Sequence, residues 1–263
     1  MKSVQLQSVA LNCTRYGSRE DIIGLAERMA EIPGLTLARP GLVDSVGGRK
    51  RHVPFPGSPR ELINGIYKII EVRPEDKLIN AYGPEAVNFW GIYAPTLQDG
   101  QQHIRPLEIY FTNTMHTRQY SEATATCTVS PDKGIRLEEV AQVFSRIARI
   151  FYDTLDPYLT WVSCPPTSFD RLAGEDVLAL KLGELHWLNI LGKPYVERLG
   201  RQVLLGAPAF LAESLEGEGI RIQLGREFTS AQSGPTPDEI LKYFRPLGVR
   251  YLTWPSESRA TSS

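Results

Sequence analysis

The chain has 263 residues, with 29 Lys plus Arg against 30 Asp plus Glu, a formal net charge of −1. A composition of 42% hydrophobic and 22% charged residues suits a globular protein with a sizeable core and excludes a disordered or low-complexity chain. A balance this close to neutral offers no whole-molecule attraction to polyanions, which argues against a dedicated nucleic-acid or anionic-membrane binder.

The cysteines, Cys13, Cys127 and Cys164, are odd in number and widely spaced. They read as small core residues of a reducing compartment, not as a disulfide framework or a C-x-x-C site. Gln5 and Gln7 interrupt the N-terminal run before a signal-peptide core forms. No stretch reaches the roughly 18 uninterrupted apolar residues of a membrane span. A cytoplasmic location follows as the expectation.

Residues 3–12 alternate apolar and polar and then slip phase, which predicts a strand with a bulge. Ser18 and Asp21 form a capping box for a helix over about 19–31, stopped by Pro33-Gly34. Short strands are expected around Leu35–Ala38 and Leu42–Val46. Ser58-Pro59-Arg60-Glu61 announces a second helix, with Ser58 as cap and Pro59 in the first position. Val87–Ala94, Leu107–Thr112 and Thr124–Val129 carry the β-branched and aromatic residues of strands, with turns at Gln98–Gly100 and around Asn113–Arg118.

The clearest pattern is a helix over 137–155. Leu137, Val140, Ala141, Phe144, Ile147, Ala148, Phe151, Tyr152 and Leu155 recur at helical spacing, while Glu138, Glu139, Gln142, Ser145, Arg146, Arg149 and Asp153 occupy the other side. Asp156-Pro157 ends it. Strands are expected at Tyr158–Ser163, Gly183–Leu191 and Gly219–Leu224. A short helix belongs at about Pro194–Leu199, followed by Gln202–Leu205. Thr236-Pro237-Asp238-Glu239 repeats the earlier cap and opens a last helix to about 246. The tail 256–263 is small and polar, and disorder is expected there. Runs of strands with a few amphipathic helices define an α+β fold, mostly antiparallel sheet covered by those helices. The domain expectation is a single unit over 1–263, or two packed halves over about 1–133 and 134–255.

Chemistry-bearing patterns are sparse. The histidines His52, His103, His116 and His186 form no H-x-H or H-E-x-x-H, so no metal site or other cofactor is expected. Glu184 and His186 lie two apart on a predicted strand and would share a face, the arrangement of an acid–base pair. Cys164, beside Pro165-Pro166, is the thiol best placed for nucleophilic work. A hydrolase with a dispersed site around His186 and Cys164 is therefore one reading. The run Gly47-Gly48-Arg49-Lys50-Arg51 is a flexible, cationic loop. Without G-x-x-x-x-G-K-[ST] it is no nucleotide cradle, but Arg49, Lys50 and Arg51 could contact an acidic partner surface. The loops 47–52, 98–103 and 165–176 are the other expected recognition segments.

Over about 137–254 the chain resembles the bacterial immunity proteins associated with type VI secretion and polymorphic toxins. The resemblance rests on Asp156-Pro157 after the long helix, on His186-Trp187-Leu188-Asn189, and on Leu191-Gly192 through Val196 to Leu199-Gly200. His186 stands where the family usually has glycine. The resemblance implies a cytoplasmic, non-enzymatic protein that binds and neutralises a cognate toxin through a complementary surface. A phage or structural assembly component is the remaining alternative.

Overall fold

The computed structural model describes residues 4–12, 18–43, 50–72, 87–94, 107–117, 120–130, 135–163, 177, 179–228 and 234–253. In chain order the elements are β1 (Val4–Asn12), α1 (Arg19–Ala30), β2 (Leu35–Val43), β3 (Lys50–Pro54), α2 (Pro59–Val72), β4 (Val87–Tyr93), β5 (Leu107–Thr117) and β6 (Tyr120–Val129). There follow α3 (Leu137–Leu155), β7 (Leu159–Ser163), β8 (Glu184–His186), β9 (Leu188–Leu191), α4 (Lys193–Leu199) and α5 (Arg201–Leu205). The chain closes with β10 (Leu211–Ser214), a 3-10 turn (Glu216–Glu218), β11 (Ile220–Gln223), α6 (Pro237–Phe244), a second 3-10 turn (Arg245–Leu247) and β12 (Tyr251–Thr253).

Ten strands form one sheet in the order β10-β11-β9-β7-β1-β6-β5-β4-β2-β3. Every neighbouring pair in it is antiparallel. The fold is α+β. β1 lies centrally, paired with β6 on one side and β7 on the other, so the ladder crosses from the first half of the sequence to the second without a break. Its register against β6 is continuous from Val4 to Asn12, and the expected bulge is absent. The phase slip has another cause. Leu6 and Ala10 point to one face while Val9 and Leu11 point to the other, and all four are buried. A strand covered on both faces has no need to alternate.

The helices lie on the Leu6 face. α3 packs over β1 and β7, and α1 packs against α3 and α2. Arg28 of α1 bonds Asp153 of α3 at 2.9 Å. Phe89 and Phe111 stack at 4.8 Å in the core of this layer. Ser145, assigned by periodicity to the wet side of α3, is instead buried and accepts from Arg221 of β11 at 3.3 Å. All three expected capping boxes form, at Ser18/Asp21, Ser58/Glu61 and Thr236/Glu239.

Other expectations change. β2 runs unbroken through Arg39-Pro40-Gly41, with a register shift against β3 between Pro40 and Val43 that absorbs the breakers. β5 and β6 extend into the supposed turn at Asn113–Arg118 as far as the Thr117–Tyr120 pairing, through a second irregularity after Met115. The single strand expected over Gly183–Leu191 is two. β9 pairs with β7 and β11, whereas β8 pairs in parallel with β12 in a separate two-stranded sheet. Trp187 is the joint. The Asn189 side chain accepts from the His186 N–H at 2.9 Å and donates to the His186 carbonyl at 2.7 Å, saturating the backbone where the ladder stops.

Candidate partner-binding surface

His186 is the last residue of β8, on the sheet face opposite the long helix, with its ring stacked on Trp161 at 5.1 Å and 16°. It is 1% exposed, and among the described residues neither ring nitrogen has a hydrogen-bond partner. Burial in these apolar surroundings lowers its pKa from 6.5 to about 3, so the imidazole is neutral at physiological pH. Glu184 therefore does not orient or charge it, and the expected acid–base pair does not form. β8 is the reason: its two polar ends serve different surroundings, with His186 sealed on Trp161 and Glu184 turned to a cavity wall. Cys164 lies outside the described residues, as do Cys13 and Trp254. Cys127 is a buried free thiol in β6.

Arg49 also lies outside the described residues. Lys50 and Arg51 open β3, at one edge of the large sheet, and their side chains belong to the undescribed part. The recognition segments 98–103 and 165–176 are likewise outside. Among the described residues no three His, Cys, Asp or Glu side chains gather in a metal-binding group, and no helix is long and apolar enough to cross a membrane.

What the structure assembles instead is a cavity of about 670 Å³ that the linear pattern did not announce. Its walls come from the approach to β8, from α4 and from the turn leading into β12: Lys181, Glu184, Arg198, Leu247, Arg250 and Tyr251. The volume is that of a ligand or side-chain pocket. The backbone places each contributor. Tyr195 of α4 donates to the Lys181 carbonyl at 3.2 Å, tying α4 to the chain before β8. Gly248 takes φ +97, the left-handed conformation that glycine accepts freely, and turns the chain back after the second 3-10 element. Arg250 N–H then donates to the Gly183 carbonyl at 2.8 Å and starts the parallel β8–β12 pairing. Glu184 is 6% exposed in the wall, while Tyr251 stands 66% exposed at the mouth. Among the described residues, the Arg198 and Arg250 guanidinium groups make no ion pair or side-chain hydrogen bond. Two arginines, a lysine and an accessible tyrosine thus line one cavity.

The fold is α+β, and the described wall of the cavity includes Lys181, Arg198 and Arg250. No protein-family model matches the chain, and no curated protein matches it. A solved structure described as a Pseudomonas aeruginosa T6SS protein aligns over 95% of this chain and 74% of its own, with 15% identity and a TM-score of 0.48. A likeness of that strength assigns no function.

Proposed function

We propose that this chain is a non-enzymatic immunity protein that binds a cognate bacterial toxin, of the type VI secretion or polymorphic class, and neutralises it in the cytoplasm. The observation that carries the reading is the convergence of the residues by which the chain resembles that family. Asp156 ends α3 in the left-handed conformation at φ 48. Pro157-Tyr158 then lies directly against Gly192: Gly192 N–H donates to the Tyr158 carbonyl at 2.9 Å, and a Cβ on Gly192 would fall 2.3 Å from the Pro157 carbonyl oxygen. Trp187 is fully buried and donates to the Gly225 carbonyl at 3.0 Å, and Asn189 closes the backbone of His186. Segments remote in sequence thus meet at one junction that sets the exit of α3 against the start of α4. α4 in turn supplies Arg198 to the cavity.

The hydrolase reading has no comparable support, because His186 is sealed and unpaired. Co-expression with the toxin encoded beside this chain in its genome of origin tests the immunity reading. Protected growth and a co-purifying one-to-one complex are expected. Unrelieved toxicity with no complex would overturn it.

A further inference from the structure

We propose that the cavity between α4 and β12 is the docking point for a carboxylate-bearing segment of the protein partner; this rests on the toxin-binding reading and names the chemistry of the contact. Three cations, Lys181, Arg198 and Arg250, converge on the cavity from three separate stretches of chain, and all three are exposed. Among the described residues of the wall the one carboxylate is Glu184, which is buried. Among the described residues that line it, cationic side chains outnumber carboxylates.

Arginines elsewhere on the surface are often spent internally: Arg28 and Arg149 on Asp153, Arg60 on Glu20 and Glu27, Arg136 on Glu139, Arg221 on Glu213. Among the described residues, Arg198 and Arg250 have no such partner. A guanidinium presents a planar fork of donors that matches a carboxylate in bidentate fashion, and two arginines line this one concavity. Tyr251 adds an accessible aromatic ring at the mouth, and Leu247 an apolar wall. Arg and Tyr flanking a pocket are the residue types that dominate binding energy at protein interfaces.

An acidic protein segment fits better than nucleic acid. Tight nucleic-acid binding neutralises many phosphates along an extended track. Among the described residues the cavity wall holds three cations, on a chain whose net charge is −1.

The test is a fluorescence-anisotropy titration of the full chain with labelled hexaglutamate, hexaglutamine and a single-stranded oligonucleotide at low salt. The variants are Arg198→Glu/Arg250→Glu and, as a control of equal charge change, Arg146→Glu/Arg226→Glu. The milder Arg198→Gln/Arg250→Gln covers a failure of the reversed pair to fold. Hexaglutamate is expected to bind about tenfold tighter than hexaglutamine, and the cavity pair alone to lose about tenfold. No preference for hexaglutamate, equal loss in the control pair, or tighter binding of the oligonucleotide overturns the proposal. Co-purification with the toxin separates the two readings. A complex that survives both charge-reversed pairs equally removes the cavity and leaves toxin binding standing. A wild-type chain that binds hexaglutamate as expected but captures no toxin removes the toxin reading instead.

Discussion

Replacing His186 by Phe should flatten the acid side of the stability profile. The imidazole is neutral in the folded chain, with its pKa lowered to about 3 by burial, whereas the unfolded chain protonates it at 6.5. Between those values the unfolded state binds the extra proton, so stability is complete above pH 6.5 and is lost as pH falls toward 3. At pH 4.5 the unfolded side chain is two pH units below its pKa, and the folded one is still neutral. The loss relative to pH 7.5 is then about 2.7 kcal/mol, at about 1.36 kcal/mol per pH unit. That figure depends little on the folded value as long as it stays well under 4.5. Phe has no proton to bind and no nitrogen left unpaired against Trp161, so the variant should match or exceed wild type at pH 7.5. Urea unfolding followed by tryptophan fluorescence at both pH values measures the difference. The gap between the two proteins should move by about 2.7 kcal/mol in favour of Phe, roughly a 1 M shift in relative midpoint. Comparing the two proteins cancels the carboxylates, which titrate in both. Parallel pH profiles would refute the reasoning and show that the His186 ring reaches solvent or a partner.

Gly192→Ala forces a Cβ to within 2.3 Å of the Pro157 carbonyl oxygen and 3.1 Å of that of Tyr158. Backbone cannot give way as a side chain would, so a destabilisation of about 1–3 kcal/mol is expected in thermal unfolding, and an unchanged midpoint would mean that the junction is loose. Tyr152→Phe removes a hydroxyl that donates to the Glu216 carbonyl at 3.0 Å and accepts from the Gly219 N–H at 2.9 Å. Leaving that N–H without an acceptor should cost about 1–3 kcal/mol, read as lost stability together with faster amide exchange at Gly219. Thr236→Ala deletes the acceptor for the Glu239 N–H and half of the capping box. The expected loss is about 1 kcal/mol, with α6 fraying first in hydrogen exchange.

Legibility followed the range of the interactions. The capping boxes at Ser18, Ser58 and Thr236 were readable because each needs only residues three apart. The bounds of α3 were readable because an apolar face at helical spacing is a local property. Yet the surroundings of that helix were not readable, and Ser145 shows it: a polar residue on a nominally wet face is buried by Arg221, which arrives from β11. The strands β10 and β12 left no clear pattern, since four-residue and three-residue strands carry almost no periodicity. Pairing with Ile220–Gln223 and with Glu184–His186 is what makes them strands.

The candidate site divides along the same line. His186 and Glu184 stand out in the sequence, but two residues apart on one strand is a statement about backbone geometry and not about what covers each end. Packing against Trp161 sealed one of them, and an arginine-rimmed cavity received the other. Arg198 and Arg250 drew no attention in the sequence because a lone arginine on a short helix and another in a turn are ordinary. By itself the sequence determined the class of fold, the helices and their caps, and the absence of any familiar catalytic spacing. Only the tertiary structure decided that β1 would join both halves in one sheet, that Gly183–Leu191 would serve two sheets, and that three distant cations would share one concavity. The physical reason is that caps and amphipathic faces are set within a few residues of chain, whereas a ladder neighbour or a cavity wall is chosen by whichever remote segment completes its hydrogen bonds and buries its apolar side.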